Sequence, residues 1–411
     1  MQKITKKRNK YIKIHTKKKY NYDKAKANTK TNTKTKTYVK TKAKVQSQLI
    51  YQSYPLYKKM YNFNVSRIID IVKNMKSQLY IYTKSPPNYK NYPSHKFKTL
   101  QLNKAQHTGN IHKYYIIKSS WNDNLELNKI TDYFTEPCRI KCTFKKNMSP
   151  LNYWNRNWKS ILAPVQKQQQ KNQFVLKYQH KSSTPASASA VSAPAVSAPA
   201  LSASASLIHA LREAMYIRNK PCNNFRISVC LEVLKIFKPT KWLDISAGWG
   251  DRLLSALLCP SIQTYCGIDP NPCLHPYYKE MILKFDPDGK KDCILIQDGF
   301  ETAKLPNIQF DFVFSSPPFF DLEIYSNAKS NSLVKYKGED AWFNGFLIPS
   351  LYKAYDYLEA GGYFILYMGE SHGTKYIPKM ITLMDSRMQN AGMFYYTDGV
   401  KIREFFCWKK E

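Results

Sequence analysis

The tetrapeptide Ser316-Pro317-Pro318-Phe319, inside the stretch DFVFSSPPFFDLEIY, combines group types that suit the exocyclic amino group of a planar base. Proline has no N–H, so a Pro-Pro pair fixes the loop and leaves backbone carbonyls without a competing local amide. Ser316 and the Pro317 carbonyl can then accept the hydrogens of an amino group. The Phe319 ring offers a face on which a base can stack. Such a nitrogen is a poor nucleophile because its lone pair is delocalised into the ring. Holding its hydrogens while aiming the nitrogen at an electrophilic carbon is therefore the useful chemical act. The same residues would also serve as a plain loop with two core phenylalanines, so the surrounding sequence has to decide.

Three further groups fall at comparable places. In LDISAGWGDRL an apolar run passes into Ser246-Ala247-Gly248-Trp249-Gly250, and two glycines there let the backbone approach a ligand at the start of a helix. Asp269, in GIDPNP about twenty residues on, is placed to accept hydrogen bonds from ribose hydroxyls. Asp298 closes the next apolar run, where an acid can meet an adenine amino group. A glycine pair alone is compatible with an ordinary tight turn. Three consecutive strand ends with suitable groups describe a nucleoside pocket.

These groups need strands to carry them. KWLDIS (241–246), TYCGID (264–269), CILIQD (293–298) and FDFVFS (310–315) are short apolar runs, each ending in a polar residue and several separated by amphipathic segments. That pattern predicts a parallel sheet covered by helices on both faces. A helical stretch is expected over 207–237, and WFNGFLIPSLYKAYDYLEAGG reads as a helix ended by glycine, with YFILYMGE as the fifth strand. The chain then gives two strand-like runs around Asp398-Gly399, a hairpin signal. Five parallel strands and a terminal hairpin make an α/β fold with a mostly parallel, seven-stranded, Rossmann-like sheet, that of class I methyltransferases rather than dehydrogenases.

DISAGWGDRL, GIDPNP and SSPPFFDLEIYS together resemble the cofactor and catalytic motifs of the AdoMet-dependent amino-group methyltransferases that act on DNA, the N6-adenine/N4-cytosine class. The resemblance covers residues 207–411. It implies S-adenosyl-L-methionine as cofactor, held by the Asp244–Gly250 region with Ser246, Gly248 and Gly250, by Asp269 and by Asp298. It assigns the catalytic tetrapeptide to Ser316, Pro317, Pro318 and Phe319. Ser246 stands where the family's first glycine is expected, which bears on cofactor affinity. Ser316 in place of Asp is more typical of cytosine N4 than of adenine N6 enzymes and leaves the base open. The chain ends after the hairpin, so sequence reading is expected from 49–181, from the insert SNAKSNSLVKYKGEDA (326–341), or not at all. Cytosine C5 methylation is disfavoured because the required Cys nucleophile is replaced by Phe319. His372 reads as a loop histidine.

The net charge of +35 is carried by one half: residues 1–206 hold 40 Lys and Arg against 6 Asp and Glu, residues 207–411 hold 24 against 23. A polycation of that size calls for a polyanion, and nucleic acid is the commonest; a solvated Lys-rich tail is the bland alternative. Residues 1–48 read as a disordered Lys/Thr-rich arm, 49–181 as a basic, aromatic-rich nucleic-acid-binding region, 182–206 as an Ala/Ser/Pro linker, and 207–411 as the methyltransferase domain. On that division, removing 1–181 should weaken nucleic-acid binding yet leave AdoMet affinity nearly intact. The nine cysteines are expected to be reduced thiols, with no second pair to make Cys138 and Cys142 a zinc site. There is no secretory signal and no membrane span, so an intracellular location is expected, in a nucleus or a viral replication compartment. DNA is the first-choice partner, with a protein partner to supply specificity. RNA adenosine N6-methylation and a non-catalytic packaging protein remain as alternatives.

Overall fold

The computed structural model describes residues 54–56, 58, 63–74, 78–82, 114–118, 127–182, 203–371, 373–397 and 402–411. The expected arm 1–48, most of the linker, His372 and the Asp398-Gly399 turn lie outside the described residues.

The strands are β1 (Gln78–Tyr82), β2 (Tyr114–Lys118), β3 (Thr143–Phe144), β4 (Lys241–Asp244), β5 (Thr264–Ile268), β6 (Asp292–Ile296), β7 (Phe310–Ser315), β8 (Glu323–Ile324), β9 (Leu358–Tyr367), β10 (Gln389–Thr397) and β11 (Ile402–Lys409). Nine form one sheet in the order β1-β2-β10-β11-β9-β7-β4-β5-β6. β6, β5, β4, β7 and β9 run parallel, and β11 enters antiparallel between β9 and β10. From β4 the chain first builds outward through β5 and β6, then returns to place β7 and β9 on the other side. This is the class I methyltransferase sheet, and the return leaves a crevice beyond the carboxyl ends of β4 and β7. The antiparallel pair β1 and β2 extends the seven expected strands to nine, β2 lying parallel to β10.

The central strands read as unbroken apolar runs because both faces are covered. Successive side chains alternate between them. With the helices Val65–Asn74, Ile130–Arg139, Pro150–Ser182 and Ala203–Arg218 numbered α1 to α4, Trp242, Tyr265, Phe312 and Phe314 point into one core, with α5 (Ile227–Phe237), α6 (Asp251–Leu258) and α7 (His275–Phe285). Leu243, Cys266, Val313 and Phe364 point into the other, with α8 (Ile348–Asp356) and α9 (Tyr376–Asp385).

Two sequence expectations change. The stretch 207–237 divides into a helix at Ala203–Arg218 and α5, because Pro221 disfavours helical geometry in the residue before it. Gly361 and Gly362, expected to end a helix, lie within β9. There the Gly361 N–H donates to the Lys410 carbonyl and the Lys410 N–H to that of Gly362, so β-pairing supersedes the local stop signal.

Residues from the basic half share the first core. Helix Ile130–Arg139 brings Ile130, Phe134 and Cys138 into the cluster that holds Trp242 and Tyr265. The helices Pro150–Ser182 and Ala203–Arg218 add a third cluster around Trp154, Ile161, Leu211 and Met215. Cys138 is joined by a disulfide to Cys273, in the loop after Asp269. The expectation of nine reduced thiols is corrected for this pair, which the sheet topology brings together across 135 residues of sequence. No helix among the described residues is long and apolar enough to cross a membrane.

Candidate active site at the carboxyl edge of the sheet

The loops after β4, β5, β6 and β7 converge on one cavity of about 1020 Å³. Gly248 and Gly250 take left-handed φ values of +58° and +87°, which an L side chain rarely adopts. Gly250 opens α6 and does not itself line the cavity; its φ favours glycine, and a Cβ there would stand 3.0 Å from Met281 Cε, on the core side of the loop.

Asp269 lies across from that loop, 9% exposed. Its Oδ2 accepts from the Gly248 N–H at 3.0 Å and its Oδ1 from the Asn271 N–H at 2.9 Å. Burial pushes this carboxyl up to about 7, although the two backbone bonds pull the other way. Each oxygen keeps a lone pair for a ligand hydroxyl.

Asp244 is placed differently from the expectation. It is fully buried beneath the loops and does not line the cavity. It pairs with Arg252 Nε at 2.8 Å, and accepts from Ser315 Oγ at 2.7 Å and Tyr265 Oη at 2.8 Å. Ser315 Oγ and Ser246 Oγ are 2.8 Å apart, and Arg252 Nη2 donates to the Ser246 carbonyl. One buried acid thus ties the glycine loop to the residue before Ser316. Asp298 is also outside the cavity: it is exposed, and its Oδ1 accepts from the Gly299 N–H at 2.7 Å, holding the turn. The acid that turn presents is Glu301, whose side chain is 5% exposed. Lys335 Nζ and Tyr336 Oη reach Glu301 Oε1 at 2.8 and 3.3 Å, while Oε2 is buried without a partner among the described residues.

Ser316, Pro317, Pro318 and Phe319 all line the cavity. The two phenylalanines separate. Phe320, with φ +48°, turns its ring against Trp342 at 5.5 Å. The Phe319 ring stands edge-on to Tyr367 at 5.5 Å, and a Cβ on Gly369 would approach it to 3.2 Å. A strained backbone residue directly after the tetrapeptide turns one ring inward and leaves the other on the cavity.

The far wall comes from residues 129–145, which the sequence reading set apart, and from residues 212–225 at the start of the expected methyltransferase domain. β3 pairs with β8 just after the tetrapeptide, and the Lys145 N–H donates to the Leu322 carbonyl at 2.8 Å. Lys129, Lys145 and Lys220 line the cavity on this side, as do Asp132, Arg139 and Arg212. Burial works to raise the Asp132 carboxyl, but Arg139 and Arg212 together outweigh it and hold it below the ordinary range. No run, repeat or spacing marks these residues in the sequence, since they are single polar residues scattered over helices, the turn at Lys145 and the loop at Lys220.

No family model and no curated protein matches this sequence. Among solved structures, a class I S-adenosylmethionine-dependent methyltransferase from Listeria monocytogenes is 16% identical, covers 44% of this chain and 58% of its own, and has a TM-score of 0.32. An rRNA methylase from Streptococcus thermophilus is 11% identical over 46% of this chain and 98% of its own, TM-score 0.31. Magnesium protoporphyrin IX methyltransferase from Synechocystis PCC 6803, with bound SAM, is 11% identical over 45% and 78%, TM-score 0.32. At such scores these likenesses add nothing to the strand order. A fold of this kind does not fix a substrate, which has to be argued from the site.

Proposed function

We propose that this chain is an AdoMet-dependent methyltransferase that modifies an exocyclic amino group, cytosine N4 or adenine N6, of a base in nucleic acid, with DNA as first choice. The observation that carries the reading is that Ser316–Phe319 and the Gly248/Asp269 wall face one cavity and are tied together through Asp244. Small-molecule sites commonly measure about 300–1,000 Å³. A cavity at the top of that range has room for a cofactor and an acceptor base together.

The residues present fit AdoMet. Gly248 lines the cavity, with no protein atom beyond its chain neighbours closer than 3.7 Å to where its Cβ would stand, and Asp269 keeps acceptor capacity for ribose hydroxyls. Glu301, with one oxygen unpartnered, takes over the adenine-amino role that the sequence reading gave Asp298. When bound, the cofactor supplies an electrophilic methyl group on a sulfonium. The chain's own part is to hold the acceptor. Ser316 Oγ and the Pro317 carbonyl accept the amino hydrogens, Phe319 stacks on the base, and the loop, anchored through Phe320, keeps them in place. This is catalysis by positioning. Lys129, Lys145 and Lys220 supply positive charge on the cavity wall for a phosphate backbone. The surplus of positive charge over residues 49–181 would serve the same phosphate backbone, beside the structural part that helix Ile130–Arg139 plays in the first core.

The test is transfer of a labelled methyl group from AdoMet to matched duplex DNA, single-stranded DNA and RNA, followed by separation of nucleosides. Label in N4-methylcytosine or N6-methyladenine from DNA is the expected result. Label from RNA alone would replace the polymer and keep the chemistry. Absence of label on every polymer, with AdoMet bound, would refute a nucleic-acid acceptor for the isolated chain.

A further inference from the structure

The far wall of the cavity contains a charged cluster that is stitched to the glycine loop rather than to the Pro-Pro loop. Thr131 Oγ1 donates to Asp251 Oδ1 at 2.5 Å, and Thr135 Oγ1 to the Trp249 carbonyl at 2.9 Å. From the segment before α5, the Phe225 N–H donates to Asp251 Oδ2 at 3.2 Å, and Trp249 Nε1 donates back to the Asn223 carbonyl at 3.0 Å. Helix Ile130–Arg139 and residues 223–225 are thereby held against the backbone of Trp249 and the first residue of α6.

At the centre of this wall is the Asp132 carboxylate, 5% exposed. Oδ1 accepts from Arg139 Nη2 at 2.5 Å and from Asn224 Nδ2 at 2.9 Å, and Oδ2 from Arg212 Nη2 at 2.5 Å. Asn224 Nδ2 also reaches Thr131 Oγ1 at 3.2 Å. These bonds fix the amide, because the reverse orientation would set its oxygen against a carboxylate. Asn224 Oδ1 is therefore turned away from Asp132, and it has no partner among the described residues; neither has Arg139 Nε. Both residues line the cavity. A buried acceptor and a buried cationic donor left unmade cost the protein free energy that a matching ligand would recover.

We propose that this wall receives the amino-acid end of AdoMet, its ammonium on Asn224 Oδ1 and the Asp132 carboxylate, its carboxylate on Arg139. The assignment rests on the cofactor reading above. A group with a cation and an anion two bonds apart is the complement of an acceptor and a cationic donor that share one carboxylate. A phosphate is disfavoured, since Asp132 would repel it, and a neutral base edge would leave the charges unused. The basic half of the chain then completes the cofactor site.

The experiment is calorimetry on the full chain with two ligands: AdoMet, and 5′-methylthioadenosine, which keeps the nucleoside and lacks the amino acid. Wild type should bind AdoMet more tightly. In Asn224→Ala, AdoMet should weaken by about tenfold, the size of one lost hydrogen bond to a charged group, with 5′-methylthioadenosine unchanged. Arg139→Lys keeps the charge beside Asp132 and should show the same selective loss. Unchanged 5′-methylthioadenosine affinity also reports that the nucleoside pocket is folded. Equal weakening of both ligands, or unchanged AdoMet affinity, overturns the assignment. Wild type that binds both ligands alike overturns this inference alone, whereas wild type that binds neither overturns the cofactor reading and this inference with it.

Discussion

The cavity has two walls of different origin. One is made of strand ends, Gly248, Asp269, Glu301 and Ser316–Phe319, each set by a loop that follows a parallel strand. The other is made of helix and loop residues, Asp132, Arg139, Arg212 and Asn224, that meet only when residues 127–161 and 203–226 fold over the sheet edge. On the first wall a functional group is stationed by its own strand. On the second, each group is stationed by the others, so the wall exists only as an assembly. A detachable nucleic-acid arm and a structural half of the enzyme site make opposite demands on the same residues, and the contacts of 127–161 favour the second.

The largest effect follows from that. A chain starting at residue 182 loses Ile130, Phe134 and Cys138 from the main core and leaves Arg212 without Asp132 and Glu136. Several core side chains at about 2–5 kcal/mol each exceed the whole stability margin of a typical domain. The expected outcome is a chain with no cooperative melt and no AdoMet binding, measured by calorimetry against the full chain. A truncated chain that melts cooperatively and binds AdoMet like the parent would restore the independent-arm view.

The contrast between the walls also explains what was legible in the sequence. Strands announce themselves by apolar runs, and their carboxyl ends by the polar residue that stops them, so β4 to β7 and the loops at Gly248, Asp269 and Ser316 could be read directly. Errors on this wall were local. Asp244 has the right position but is turned under the sheet to hold Arg252, Ser315 and Tyr265; Asp298 spends its carboxylate on its own turn. Burial and hydrogen-bond partners decide such cases, and neither is a property of spacing. On the other wall, Asp132 and Arg212 are 80 residues apart and Cys138 and Cys273 are 135 apart. Their pairing is a consequence of topology, so the +34 surplus of residues 1–206 masked a buried, charge-balanced cluster that Asp132, Glu136 and Arg139 form with Arg212 of the other half.

Phe319→Ala sharpens the comparison from the strand-end side. The ring lines the cavity and contacts Tyr367, and stacking on a base is worth about 1–3 kcal/mol. Single-turnover methyl transfer should slow by about 5- to 150-fold, while AdoMet affinity, carried by the glycine loop, Asp269 and the far wall, should stay the same within about twofold. Parallel loss of affinity and rate would mean that the ring serves packing around Gly369 rather than the acceptor.

The smallest effect separates the walls by charge. Two acids near the glycine loop, Asp269 and Asp251, are pushed up to about 7 by burial, whereas Asp132 on the far wall is held below the ordinary range by its two arginines against the same burial. A folded-state acid above its unfolded value of 3.8 binds more protons folded than unfolded between about pH 4 and 7. The stability of the ligand-free chain should therefore fall as pH rises through that window. His209 and His275, pushed down by burial, act in the opposite sense near pH 6 and shallow the slope. AdoMet affinity runs the other way. Ribose hydroxyls need the ionised Asp269 as acceptor, so affinity should drop by up to about tenfold per pH unit below 7. Asp132 stays ionised throughout, so binding of the amino-acid end adds no slope there. Affinity measured from pH 5.5 to 8.5 should bend near 7 in the parent and lose the bend in Asp269→Asn. A flat profile in the parent would remove Asp269 from the cofactor site, and a bend that survives Asp269→Asn would move the titrating group to Asp251 or Glu323, the other cavity-lining acids that burial raises.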